Sequence, residues 1–271
     1  MYLMNLAGRP AKELILTEFR MNQIVMIHKT KGIVLRTVKY GETSVIVSIL
    51  TELFGVQSYI VNGIRTISRK GASKSGMFQP AAMLDLVIYH QEGKNLQRIR
   101  EFSWSHLYQH IFSDVVTNTV ALFMIEVLQK CLKQPEPNPE LYSFMEDALN
   151  GLDQAAPKVQ ANFPLFFAIH LAGFFGLRID DNYSEKRIYL DLREGYFSEE
   201  KPSHPHYLEN PLSEISSQLL KAMQPDDLAA FTLNKETRRL LLLAYEDFYS
   251  IHIAGFTPLK TLPVLRTILE A

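Results

Sequence analysis

Residues 31–74 read KGIVLRTVKYGETSVIVSILTELFGVQSYIVNGIRTISRKGASK, three strand-like segments that run into a basic loop. Gly32 to Tyr40 is rich in β-branched residues, which pack well on a pleated surface, and carries cations at Arg36 and Lys39. Gly41-Glu42 supplies a turn before Ser44 to Thr51, and Gly55 separates that segment from Val56 to Asn62. Connections this short predict a meander of antiparallel strands. From Gly63 to Gly76 come four cations, Arg65, Arg69, Lys70 and Lys74, with no acid and many small residues. Such a loop has little apolar area to bury, and an anion is what would order it.

Charge is distributed unevenly around this stretch. Between Met26 and Lys74 the cations are Lys29, Lys31, Arg36, Lys39, Arg65, Arg69, Lys70 and Lys74, against Glu42 and Glu52, a balance of +6. The whole chain is −1, Met1 to Val25 is +1, and Ser75 to Ala271 therefore carries −8. A basic module on an otherwise acidic chain points to a local polyanion site, because Lys and Arg beside phosphates release condensed counterions whatever the base sequence. Taken alone, four loop cations fit a solvated turn equally well.

The strand pattern continues beyond the loop. Phe78-Gln79-Pro80 leads into Ala82 to His90, Gln91-Glu92-Gly93-Lys94 makes a turn, and Leu96 to Phe102 reads as a fifth strand with Arg98 and Arg100 on one face. Five short strands closed by a helix predict an OB-type barrel over residues 26–104, whose open face and loops suit oligonucleotides.

In succession, GIVLRTVKYGETSVIVSILTELFGVQSYIVNGIR, FQPAAMLDLVIYHQEGKNLQRIREF, EPNPELYSFMEDAL and the closing YSIHIAGFTPLKTLPVL resemble the RecO family of bacterial recombination mediators, from about Met26 to Leu269. The order of these segments carries the resemblance more than any one of them. It implies an OB barrel followed by a helical domain, binding of single- and double-stranded DNA, strand annealing, and recombinase loading onto strands coated by single-strand-binding protein. It also implies two protein partners: RecR, and the acidic, hydrophobic C-terminal tail of single-strand-binding protein. That tail needs an apolar groove beside a cation, for which Arg178, Lys221, Arg238 and Arg239 are candidates.

With 47% apolar and 21% charged residues the chain has ordinary globular composition and room for two cores. Its single cysteine, Cys131, sits in an apolar helical stretch, so no intramolecular disulfide forms and a reducing cytoplasm, at the bacterial nucleoid, is the expected location. Residues 1–25 carry charges at Lys12, Glu13, Glu18 and Arg20 and no secretory pattern. They are expected as an extension, disordered or arising from start-codon choice, with Met21 and Met26 as alternative starts. Phe163 to Leu177 is apolar but shorter than the roughly 20 residues a membrane span needs, and it contains His170, so it reads as a buried helix carrying a packed histidine.

Residues 105–271 read as an all-helical domain. Ser113-Asp114 caps a helix to about Lys133, which Pro135 and Pro137 terminate. Asn138-Pro139-Glu140 opens the next, whose Leu141, Phe144, Met145, Ala148, Leu149 and Leu152 form one apolar stripe. A third ends near Gly176, another covers Leu212 to Met223, and Asn234 caps a helix from Lys235 to Ile253. Between about 179 and 210 the pattern becomes an irregular insert. There the resemblance implies a four-cysteine zinc site, but no cysteine is present, so no cofactor is expected. His204 and His206 with Asp180 and Asp181 could be assembled into a substitute, but their spacing matches no standard site.

A phosphate-cradling P-loop, a nucleophile elbow, H-E-x-x-H and a two-metal carboxylate cluster are all missing from the sequence. Catalysis is therefore not expected, which disfavours a nuclease. The expected role is a DNA-binding mediator in recombination and repair, with no membrane association. Phosphate contacts are expected from Lys29, Lys31, Arg36, Lys39, Arg65, Arg69, Lys70 and Lys74, and base stacking from Tyr40 and Tyr59. A protein-interaction adaptor whose barrel does not bind DNA is the second reading.

Overall fold

A computed structural model describes residues 26–64, 74–133 and 136–270, which divide into one unit up to Ser105 and another from His106. The expected N-terminal extension lies outside the described residues. In the first unit β1 (Met26–Tyr40), β2 (Ser44–Thr51), β3 (Gly55–Val61), β4 (Met83–His90) and β5 (Gln97–Trp104) close into a barrel in the order β1-β2-β3-β5-β4. The α+β expectation and its five-stranded barrel are borne out.

Strand β1 begins at Met26, six residues before the β-branched run, because it serves two neighbours. Its first half pairs with β4, from Met26 opposite His90 to Ile33 opposite Met83, and its second half with β2, from Gly32 opposite Thr51 to Tyr40 opposite Ser44. The pivot is Gly32: a Cβ there would stand 2.6 Å from Ile49 Cγ2 and 2.9 Å from Leu86 Cδ1, so the two sheet halves meet where a side chain is missing. A bulge at Leu35 shifts the register by one and resets which residues face inward. Ile33, Val34, Val47, Ile49, Tyr59, Leu84 and Ile88 fill the core of this unit.

The second unit is built around α3 (Pro157–Leu171), which is apolar on nearly every side and so must be covered all round. It is packed by α1 (Val115–Cys131), α2 (Pro139–Gln154), α4 (Leu212–Lys221) and α5 (Lys235–His252). Asp114, Asn138 and Asn234 cap α1, α2 and α5, each side chain accepting an N–H three residues on. Helix α3 runs into a 3₁₀ turn that stops at Gly176, whose φ of 73° is left-handed. His170 lies inside this packing, its ring against Phe166 and its Nε2 3.2 Å from the Leu219 carbonyl. Cys131 is buried, and burial pushes its thiol up to about 12, far from the range of a nucleophile. No helix among the described residues is long and apolar enough to cross a membrane.

Two features differ from the sequence expectation. The C-terminal stretch forms a further helix, α6 (Thr261–Glu270), because the Glu126 carboxylate of α1 accepts the N–H groups of Lys260 (2.9 Å) and Thr261 (2.8 Å). That cap comes from a residue far away in sequence. The second unit is also not all-helical. Its insert holds a small antiparallel sheet of β6 (Tyr189–Asp191), β7 (Tyr196–Ser198) and β8 (Tyr207–Leu208), in the order β7-β6-β8. Strands of two or three residues are too short to display an alternating pattern.

Candidate nucleic-acid interface

In a sheet, residues directly opposite one another point to the same face. The register therefore builds three rows on the outer face of β1, β2, β3 and β5. Arg36 stands opposite Ser48, and Ser48 opposite Ser58. Val38, Ile46 and Ile60 form the next row, which Arg98 of β5 extends through its parallel pairing with Ile60. Tyr40 and Ser44 make the third, with the Ser44 hydroxyl 3.0 Å from Asn62 Oδ1. The face thus carries an arginine at either edge, an apolar centre, and a tyrosine that is 52% exposed. An exposed apolar and aromatic centre between cations suits a strand with stacked bases and a charged backbone.

The departing end of the basic loop lies at this face, and the returning end is fastened to the opposite, inward side of β1, where Thr37 stands opposite the core residue Val47. The loop departs from Asn62, beside Ser44, and Ile64 is buried. It returns through a 3₁₀ turn, Lys74–Phe78, whose Phe78 carbonyl accepts the Thr37 hydroxyl of β1. Lys74 is exposed at the start of that turn. Arg65, Arg69 and Lys70 lie outside the described residues.

The remaining sequence candidates do not converge on the same face. Lys39 is opposite Val45, a core residue, so it belongs to the inner side of β1 and leaves the barrel at its mouth, three residues along from Arg36 and on the other face. Lys29 and Lys31 sit in the β4-paired half of β1, in a cleft shared with Glu52, Asp85 and Glu101, and Lys31 is directly opposite Asp85. Three acids around two lysines do not attract a phosphate chain. Tyr59 requires a correction: it is fully buried, its phenol pushed upward by burial, and its ring is core rather than a platform for a base. Arg100 is the unpaired residue of a bulge in β5. The β4–β5 register shifts there, and Arg100 Nε lies 3.2 Å from Glu101 Oε1. Arg98 joins the face through the β3–β5 pairing, a contact that neither strand's own sequence encodes.

In the second unit, α5 and α6 bound a groove with an apolar lining that includes Leu243, Leu259, Leu262 and Pro263. Its cations are Lys235, Arg238, Arg239 and Arg266, against one acid, Glu246. Arg178 instead lines a cleft that also holds Glu140 and Asp181, and Lys221 pairs with Asp181 at 3.2 Å. The substitute metal set is not assembled: Asp180 lies 4.0 Å from Arg178, Asp181 accepts from Ser217, and the two histidines pair with other carboxylates.

Residues 26–108 match the family described as Recombination protein O N terminal, and residues 113–263 that described as Recombination protein O C terminal. The chain belongs to the RecO family. Similar relatives include the DNA repair protein RecO of Phocaeicola vulgatus, 30% identical over 241 residues, 89% of this chain and 98% of the relative. That of Bacteroides fragilis strain YCH46 is 30% identical over 90% of this chain and all of the relative, and that of Azobacteroides pseudotrichonymphae 25% identical over the same shares. The RecO match divides between residues 108 and 113, just after the last barrel strand.

Proposed function

We propose that this RecO-family chain is a non-catalytic DNA-binding mediator of recombination and DNA repair in the bacterial cytoplasm, acting at the nucleoid. It binds single- and double-stranded DNA, promotes annealing, and loads recombinase onto strands covered by single-strand-binding protein. One observation supports this above the others: Arg36, Tyr40 and Arg98 share the outer face of the barrel, with the departing end of the basic loop beside it. Phosphates engage Arg36, Arg98 and Lys74 with the loop's Arg65, Arg69 and Lys70, while Tyr40 stacks on a base, a contact worth about 1–3 kcal/mol. Annealing is slowed by repulsion between two polyanions, and a cationic surface that holds both lowers that barrier.

RecR and the acidic tail of single-strand-binding protein are the proposed protein partners. For the tail, the α5–α6 groove is favoured over the Arg178 cleft because its cations outnumber its acid four to one, whereas the cleft's lining acids outnumber its cation.

The test is annealing of two complementary fluorophore-labelled oligonucleotides, followed by energy transfer, with wild type and the Arg36→Ala/Arg98→Ala/Tyr40→Ala variant. Wild type accelerates annealing and the variant loses most of that acceleration. Equal acceleration by both refutes the face assignment. No acceleration and no DNA binding by wild type leaves the adaptor, with the half-exposed Val38–Ile46–Ile60 row as its docking surface.

A further inference from the structure

Residues 179–208 occupy the place where the family resemblance implies four thiolates around zinc, and the donor set present there does not fit that ion. No cysteine lies in the region, and the described residues contain no group of three or more His, Cys, Asp or Glu side chains able to hold a metal. A structural zinc site takes four protein ligands. The cross-links a metal would supply are made here by side chains.

Asp191, 7% exposed at the end of β6, is the centre of that arrangement. Its Oδ1 accepts the N–H groups of Arg193 (2.8 Å) and Glu194 (3.1 Å), and its carbonyl accepts that of Gly195 (2.9 Å), which together close the β6–β7 turn. Its Oδ2 lies 3.2 Å from His204 Nε2, so the same carboxylate ties that turn to the segment before β8. Asn182 does the equivalent on the other side of the sheet. Its side-chain oxygen accepts the Phe197 N–H (2.7 Å) and its amide donates to the Phe197 carbonyl (3.0 Å), strapping the incoming chain to β7. Between the two straps Leu190, Leu192 and Phe197 are buried, with the Tyr183 ring 5.5 Å from that of Phe197.

Two further histidines fasten this sheet to α5. His206 Nδ1 is 2.6 Å from Asp247 Oδ2, and His252 Nε2 is 2.8 Å from the Leu192 carbonyl. The residue before Asp247 is Glu246, which lines the α5–α6 groove. His204 Nδ1 is buried without a hydrogen-bond partner, but one leftover imidazole nitrogen is not a metal site.

We propose that this module is a metal-free clasp in which Asp191 and Asn182 supply the cross-links, with Asp191 acting as a positioning residue that orders the turn after Leu192 and the His204–His206 segment, through which His252 and His206 fasten the sheet to α5. Its folding then needs no metal supply and does not respond to chelators, unlike a thiolate–zinc knuckle, whose folding free energy comes largely from metal binding.

The full chain, purified without a histidine tag from zinc-supplemented medium, is measured for bound metal by mass spectrometry and for thermal unfolding with and without EDTA. Hydrogen exchange is then compared for wild type, Asp191→Ala and Asp191→Asn, the last keeping an acceptor for the turn in case the alanine variant does not fold. The expected results are no bound zinc, an unchanged Tm in EDTA, and exchange about tenfold faster across residues 189–208 and the second half of α5 in the variants. Stoichiometric zinc, a Tm lowered by EDTA, or unchanged exchange in both variants overturns the proposal.

Discussion

Asp153 is 2% exposed, and its carboxylate accepts the consecutive N–H groups of Gln109 (2.8 Å), His110 (2.8 Å) and Ile111 (2.9 Å). Burial on its own raises its pKa, but the three backbone donors outweigh that and hold it below the usual carboxylate value. Glu126 behaves likewise: burial raises it, while the Thr261 hydroxyl and the N–H groups of Lys260 and Thr261 pull it lower still. For both groups the folded pKa lies below the unfolded one, so the unfolded chain binds more protons in the window between them. Their stabilisation is complete above the unfolded value, near 4, and is lost as pH falls through the folded values. Urea midpoints measured from pH 7 downward should hold to about pH 5 and then fall, and Asp153→Ala should cost roughly 3 kcal/mol at neutral pH and flatten that fall. Gly32→Ala is the corresponding test in the barrel. The added methyl meets the β-branched Ile49 and should cost about 1–3 kcal/mol in the same titration. Tyr59 shows where reading single residues fails, since its parity on β3 and not its residue type decides that it is core.

At the scale of elements, the strands and the first helices were legible because their signals are local: β-branched runs between turn residues, and a cap followed by a stripe. What was not legible depends on distant partners. The early start of β1 needs β4, the arginine edge of the face needs β5 beside β3, and α6 needs the carboxylate of α1. The last dependence can be tested directly. In Glu126→Ala, residues 261–269 should lose hydrogen-exchange protection while α3 keeps its own, since the N-terminus of α6 loses both its backbone acceptor and its bond to the Thr261 hydroxyl (2.7 Å). The groove should weaken with it. An acidic peptide with apolar C-terminal residues, titrated against Arg238→Ala/Leu243→Asp, should bind at least about tenfold more weakly than to wild type, a change of 1.4 kcal/mol or more. The same double variant should bind DNA normally.

Across the whole molecule, charge is segregated by unit: residues 26–105 carry +6 and residues 106–271 carry −8. The sequence shows that polarity outright, but not that the eight nominated cations scatter. Two sit among acids, one leaves by the barrel mouth, and Arg36 stands with Tyr40 and Arg98 next to the departing end of the loop. The central claim, that phosphates are held by this face together with its loop, makes a quantitative demand on salt dependence. Each phosphate contact on a single strand contributes about 0.7 to the slope of log K against log salt. The direct measurement is fluorescence anisotropy of a labelled single-stranded oligonucleotide over a salt series. It compares wild type with Arg65→Ala/Arg69→Ala/Lys70→Ala/Lys74→Ala and with Lys29→Ala/Lys31→Ala. The loop variant should bind more weakly with a slope flatter by up to about 3, and the Lys29/Lys31 variant should match wild type. A loop variant that binds like wild type, or a larger loss from the Lys29/Lys31 pair, would contradict the account.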